Sequence, residues 1–229
     1  HISAPSTPLP HPFNSASELL QQCHDHGWTI PELVRANEKV LGMVEEVDAE
    51  VLHLWQVMDA CIERGLTTPG VLPGSLAVRR RAPELHNRLV ATGEQLGIDS
   101  ISVIDWLTVW AMAVNEENAA SGRIVTAPTN GAAGVLPAVV KYALCCHPDN
   151  PDKVAIDFLL TASAIGSIIR RNASISGADV GCQGEVGSAS AMAAAGLVQV
   201  LGGSTGQVLN AAQTGAVRIG RDACLLYTS

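Results

Sequence analysis

Apolar residues recur at intervals of three and four along most of the chain, which is the spacing of a helix with one buried face. The first run follows Ser15, an N-cap with Glu18 at the capping-box spacing, and stops at Gly27. The pattern predicts an all-α fold, a multi-helix domain with a glycine-rich ligand loop. Helices are expected at about 15–24, from 29 to at least 44, and at about 48–65, 84–96, 102–120, 137–145, 151–171, 188–201 and 204–215.

Breaks in this pattern divide the chain into three parts. Residues 1–13 hold four prolines and no periodicity, so we interpret them as a linker from something upstream. Residues 14–215 carry the helical pattern, interrupted at 66–83 by a segment too rich in glycine and proline for a helix interior. We expect that segment to be an ordered loop or a short extended piece. Residues 216–229 form an atypical tail.

Composition narrows the picture further. Hydrophobic residues make up 47% of the 229 positions and aromatic residues only 3%, so Ala, Leu, Val and Ile must fill the core. The net charge of −8 argues against a nucleic-acid partner, and we interpret the basic run at 79–81 as a solvated or ion-paired patch. Every window of about 20 residues is interrupted by polar or charged groups, which favours buried helices over membrane spans.

The cysteines bear on redox chemistry and location. The six cysteines form no CxxC pair, and no signal peptide is visible, so a disulfide framework and a zinc ribbon are both disfavoured. We therefore expect a cytoplasmic protein. The adjacent Cys145 and Cys146 are interpreted as structural.

The segment 172–187, NASISGADVGCQGEVG, concentrates the chemically useful residues of the chain. It places Cys182 among four glycines and beside Glu185, at or just before a predicted helix N-terminus, where a thiolate is favoured. Glycines at this density suggest unusual dihedral angles or a group that approaches the backbone closely. A lone cysteine is often simply a small buried residue, so Cys182 by itself leaves both interpretations open.

Two further segments carry candidate chemistry. In TAPTNGAAG at 126–134, the N–H groups of 130–133, the Thr129 hydroxyl and the Asn130 amide suit a carboxylate, although an ordinary capped turn fits equally well. A nucleotide loop is disfavoured, because GxxxxGK is absent. The polar run NEEN at 115–118 either is a solvated helix end or lines a pocket.

Together, these segments and GVLPGSLAVRRRA at 70–82 resemble the α-domain of the iron–sulfur-dependent bacterial L-serine dehydratases. The resemblance runs from about residue 12 to 215. It implies an all-helical domain of an enzyme that deaminates L-serine to pyruvate and ammonia with a [4Fe–4S] cluster and without pyridoxal phosphate. It also implies a partner, the N-terminal β-domain that this chain lacks, and leaves room for a homo-oligomer; neither nucleic acid nor membrane is expected.

The resemblance also implies roles for particular residues. Cys182 corresponds to the first of three cluster ligands, which leave one iron free to act as a Lewis acid on the substrate hydroxyl. Cys224 lies 42 positions later, a spacing like the family's, but its surroundings do not match, so 216–229 reads as a non-native tail and the fragment as incomplete for activity. No general base is identified. The implied catalytic residues are Asn130 and Glu185, and the implied substrate contacts are Thr126, Thr129, Asn130, Gly131, Asn172, Ser174 and Ser176.

Two alternative classes of protein compete with this interpretation. A pyridoxal-phosphate enzyme needs a Schiff-base lysine, and Lys39, Lys141 and Lys153 all lie in ordinary helical context. A non-catalytic helical scaffold or regulatory module derived from such an enzyme stays open, since the set of cluster ligands is incomplete.

Overall fold

The computed structural model describes residues 8–40, 47–93 and 102–218. Over these ranges the chain is helical, with one isolated antiparallel bridge between Val71 and Arg79 in place of a sheet. The all-α prediction is confirmed. The helices are α1 (Ala16–His26), α2 (Ile30–Val40), α3 (Val47–Thr67), α4 (Ala82–Thr92), α5 (Val103–Ala119), α6 (Val135–Cys146), α7 (Pro151–Asn172), α8 (Gly177–Val200) and α9 (Thr205–Arg218).

Local signals set the first helix boundaries. The Ser15 hydroxyl accepts a hydrogen bond from the Glu18 N–H at 3.2 Å, which satisfies one of the free donors at the start of α1. Gly27 ends the helix at φ +65°, a left-handed conformation that glycine adopts without strain. Thr29 precedes α2, and its N–H donates to Glu32 Oε2 at 2.7 Å. The sequence predicted each of these ends.

Helix α8 begins earlier than predicted. It starts at Gly177 rather than near Ser188, with the Ser176 hydroxyl accepting from the Ala178 N–H at 3.2 Å. Its backbone is broken once, at Gly181, where φ is +69° and ψ is 178°. The glycine-rich segment, for which the sequence predicted no helix before Ser188, is therefore helical from Gly177 onward, because α8 packs against α6, α7 and α9 along its length.

Small residues let the helices of the core approach closely. A Cβ added at Gly196 of α8 would stand 2.6 Å from the Phe158 ring of α7, and one at Gly65 of α3 would stand 2.4 Å from the Ala113 carbonyl oxygen of α5. These distances are too short for any side chain, so both crossings require glycine. The scarcity of aromatic residues noted in the sequence matches this alanine- and glycine-rich packing.

The interrupting segment 66–83 forms an ordered loop with a short extended piece, as predicted. The Leu72 N–H donates to the Val78 carbonyl at 2.7 Å, and the Arg80 N–H donates to the Gly70 carbonyl at 2.9 Å. These bonds flank the bridge between Val71 and Arg79. The loop is thus a tight hairpin that brings Arg80 back towards the helices.

The remaining predictions concern the chain ends and the helix surfaces. Residues 8–13 have no regular structure, while 1–7 of the predicted linker and 219–229 of the predicted tail lie outside the described ranges. Among the helices that the structure describes, none combines the length and the apolar character needed to cross a membrane.

Candidate functional site

The break at Gly181 determines where Cys182 lies. Because only glycine tolerates a φ of +69° with this ψ, the short helical stretch from Gly177 stops there and a longer one starts at Cys182. The Cys182 side chain is exposed. The predicted placement of this thiol at the start of a helical stretch therefore agrees with the structure, although the helix extends on both sides of the break.

Glu185 joins the two motifs that the sequence singled out. Its half-buried carboxylate lies against Gly131 of the 126–134 loop and against Gly177 at the start of α8. A Cβ at Gly131 would stand 3.0 Å from Glu185 Oε2, and a Cβ at Gly177 would stand 2.7 Å from the same atom. The two glycines make room for this carboxylate. Within the described residues no hydrogen bond or ion pair engages it.

The loop at 126–131 is held by its own side chains. The Thr126 hydroxyl donates to Asn130 Oδ1 at 2.6 Å, and Asn118 Nδ2 donates to the Asn130 carbonyl at 3.2 Å. Thr129 Oγ1 is shielded from solvent and has no hydrogen-bond partner among the described residues. A buried hydroxyl without a partner is costly, so Thr129 can gain by binding a ligand or water.

The other three predicted substrate contacts shape the turn into α8. Asn172 Nδ2 donates to the Asn14 carbonyl at 2.7 Å and to the Ile168 carbonyl at 3.0 Å, so its amide is engaged with backbone. The Ser174 hydroxyl donates to Asp179 Oδ2 at 2.8 Å and accepts from the Ser176 N–H at 3.1 Å. In this structure these side chains stabilise the turn that precedes Cys182.

Sequence reasoning did not resolve the role of the polar run 115–118. Glu116 and Glu117 are 5% and 6% exposed, so the two carboxylates of the run are internal, while Asn115 is exposed and Asn118 is half-buried. Glu116 accepts hydrogen bonds from the Arg81 N–H at 2.7 Å and from the Ala82 N–H at 3.3 Å. Since Arg81 makes no side-chain cap, Glu116 of α5 supplies the capping carboxylate for α4.

Glu117 is held by two arginines. Its Oε1 pairs with Arg80 Nη1 at 2.7 Å, where both side chains are 7% exposed, and its Oε2 pairs with Arg64 Nε at 3.2 Å. Arg64 Nη2 in turn donates to the Arg123 carbonyl at 2.7 Å, just before the 126–134 loop. We call Glu116, Glu117, Arg64 and Arg80 the carboxylate junction. The ion-paired interpretation of the basic run 79–81 holds for Arg80.

The thiols of the described residues differ in their surroundings. Burial raises the pKa of Cys23 to about 11 and also raises the pKa of Cys61, whereas Cys145 and Cys182 are exposed. No group of three or more His, Cys, Asp or Glu side chains in the described ranges has the geometry of a metal site. A [4Fe–4S] cluster is held by cysteine thiolates, and the described cysteines are not grouped in a way that would hold one. Cys224 lies outside the described residues.

Comparison with known proteins identifies relatives of the whole described domain. A family model described as the serine dehydratase alpha chain matches residues 25–219. The chain is 50% identical over 207 residues to L-serine dehydratase 1 of Escherichia coli K12, covering 90% of this chain and 45% of that protein. It is 49% identical over 209 residues to L-serine dehydratase of Streptomyces coelicolor, covering 91% of this chain and 45% of that protein.

A third relative extends the same result to another genus. L-serine dehydratase of Mycobacterium tuberculosis is 51% identical over 205 residues, covering 88% of this chain and 44% of that protein. The chain thus spans just under half the length of the curated relatives it matches. On the extent of the family match and on these identities, the chain belongs to the serine dehydratase alpha chain family.

Proposed function

We propose that this chain is the alpha-chain part of an enzyme that deaminates L-serine to pyruvate and ammonia. The observation that supports this most is the approach of the Glu185 carboxylate to Gly131 of the 126–131 loop, with the exposed thiol of Cys182 three positions before Glu185 on the same helical stretch. About 50% identity to proteins named L-serine dehydratase supports the choice of substrate.

The loop at 126–131 supplies the binding groups in this proposal. The Thr129 hydroxyl, which has no partner among the described residues, and the backbone N–H groups near Asn130 and Gly131 would donate to the substrate carboxylate. The 2.6 Å hydrogen bond from the Thr126 hydroxyl fixes the position of the Asn130 side chain. Preorganised donors of this kind orient the substrate without a cost at the moment of reaction.

Glu185 is the proposed charged partner of the substrate ammonium group. Its carboxylate has no protein partner among the described residues, and it lies against Gly131 of the same loop. It would accept hydrogen bonds from the substrate ammonium group and so hold the amino acid by both ends. The reaction then removes the α-proton and the β-hydroxyl as water, and the aminoacrylate tautomerises and hydrolyses to pyruvate and ammonia.

The proposed cofactor is a [4Fe–4S] cluster with Cys182 as one ligand. A bound cluster with one iron free of protein ligands supplies a Lewis acid for the departing hydroxyl. The other ligands would come from outside the described residues, and Cys224 stays a candidate for one of them. A β-domain supplied by the rest of the enzyme, a cytoplasmic location and incomplete activity of the 229-residue chain belong to the same proposal.

A chimera tests this function in a complete enzyme. Residues 12–215 replace the matching region of L-serine dehydratase 1 of Escherichia coli, and the purified chimera is reconstituted anaerobically with iron and sulfide. We expect pyruvate from L-serine and bound iron. Cys182→Ser should abolish both, whereas Cys145→Ser, at another exposed thiol, should leave both intact.

The same chimera separates the alternatives. A folded, iron-loaded chimera without pyruvate formation would contradict the enzyme proposal and favour a non-catalytic scaffold. Pyruvate formation that needs pyridoxal phosphate and no iron would contradict the cofactor. Unchanged iron in Cys182→Ser would return that thiol to a structural role.

A further inference from the structure

A pocket adjoins the candidate site and is not used by the proposed chemistry. It has a volume of about 570 Å³ and is bounded on one side by Pro128 and Ile175, which belong to the two motif segments. The exposed face of α7 forms the other side, with Arg170 and Arg171 in its last turn. Met192 of α8 closes the floor.

The electrostatics of this pocket favour an anion. Two guanidinium groups line it, and among the described residues no carboxylate does. Arg170 makes no ion pair or hydrogen bond within the described ranges, and Arg171 binds the neutral amide of Asn14. The C-terminal dipole of α7 accounts for basic residues here but leaves their charge without an acidic partner. A planar guanidinium matches a carboxylate through two parallel hydrogen bonds.

Two hydroxyls at the α7 wall add a complementary feature. Ser163 donates its proton to the Leu160 carbonyl at 2.7 Å, and Ser167 donates its proton to the Ala164 carbonyl at 2.7 Å. Their donors are therefore occupied, while their oxygen lone pairs can still accept. The pocket thus presents donors for a carboxylate and acceptors for an ammonium group, beside the apolar surface of Ile175 and Met192.

We propose that this pocket is a binding site for the carboxylate group of a small amino acid, with Arg170 as its principal contact. The preference for a carboxylate follows from the two arginines that line the pocket. The choice of an amino acid rests on the proposed function, because the pocket shares Pro128 with the loop that is proposed to bind the substrate.

The Met192 methyl group provides a direct probe. It lies on the pocket floor against Gly166, where a Cβ would stand 2.9 Å from it. The 229-residue chain, labelled with ¹³C at the methionine methyl groups, is titrated with acetate, L-serine, ethanolamine or sodium chloride. We expect acetate and L-serine to shift the Met192 signal, and ethanolamine and chloride to leave it in place. The buried Met58 signal should not move in any titration.

Matched variants test the contact itself. Arg170→Gln should weaken acetate binding at least about tenfold, the loss expected when a charged hydrogen-bonding group is removed. Arg88→Gln, at an exposed arginine of α4, should have no effect. An unchanged titration in Arg170→Gln, an equal shift with chloride or ethanolamine, or no shift with any carboxylate would overturn the site. A response to acetate without one to L-serine would overturn the amino-acid assignment and leave pyruvate formation by the chimera unaffected.

Discussion

The carboxylate junction and the Glu185 site both hold carboxylates of a helix against a neighbouring loop, yet they differ in how completely the protein satisfies these charges. At the junction, Glu116 and Glu117 are buried. Glu116 accepts hydrogen bonds from the Arg81 and Ala82 N–H groups, and Glu117 forms ion pairs with Arg64 and Arg80. Glu185 is half-buried, faces two glycines and has no such partner among the described residues. A charge that the fold already neutralises stabilises structure, whereas one left unpaired beside open space is suited to a ligand.

The largest effect should come from breaking the junction. Glu117→Gln removes the charge that neutralises Arg80 in a site where that side chain is 7% exposed. Because an unpaired buried charge is costly, we expect a loss of about 3–5 kcal/mol in the free energy of unfolding, measured by urea denaturation. Glu84→Gln, which removes an exposed pair with Arg88, is the control and should change stability little. Equal losses in the two variants would contradict a structural role for the junction.

The pH dependence of stability tests how the protein interior affects a buried thiol, Cys23. Burial raises the pKa of Cys23 to about 11 from 9.0, so folding favours its neutral form. That contribution is fully present below pH 9 and is lost as pH rises from 9 through 11, amounting to roughly 2–3 kcal/mol. The difference in unfolding free energy between wild type and Cys23→Ala should shrink by that amount over this range. A difference in unfolding free energy that stays constant over this pH range would contradict the raised pKa of Cys23.

A matched pair of glycine substitutions compares backbone contacts with side-chain contacts. Gly65→Ala drives a Cβ to 2.4 Å from the Ala113 carbonyl oxygen in rigid backbone, and we expect a loss of about 1–3 kcal/mol in thermal or urea unfolding. Gly177→Ala meets the end of the flexible Glu185 side chain, which can turn away, so its loss should be smaller. A larger loss at Gly177 would show that Glu185 is fixed as firmly as the core.

Cys182→Ser should have the smallest effect on stability. The thiol is exposed, so its replacement removes little packing, and the thermal midpoint of the 229-residue chain should be unchanged. In the wild type, iodoacetamide at pH 8 should modify Cys182 faster than the buried Cys23 and Cys61, as read by peptide mass spectrometry. A marked drop in stability would instead indicate that this cysteine belongs to the core.

Local signals in the sequence predicted the fold well where the determinants are local. Ser15, Glu18 and Gly27 define α1 through contacts within a few residues. The start of α8 was missed because Gly177, Gly181 and Gly184 read as breakers, while packing against three helices supports a helix through them.

The candidate site was predictable in its parts and not in its assembly. The sequence singled out Gly131, Cys182 and Glu185, but no local pattern reveals that a carboxylate of α8 packs against a loop more than fifty positions earlier. The burial of Glu116 and Glu117 depends on Arg64 and Arg80, from two other parts of the chain, so the polar run alone left their role open.

The close packing of α8 has a consequence for where motion can occur. The helix is bounded by α6, α7 and α9, and Gly196 lies directly on the Phe158 ring, so its axis has little freedom to shift. The backbone that carries the thiol and the carboxylate is therefore held against the core, and adjustment to an arriving molecule is left to the Glu185 side chain and the 126–131 loop. Enlarging Gly196 would displace the reactive groups from a distance, although that residue contacts none of them.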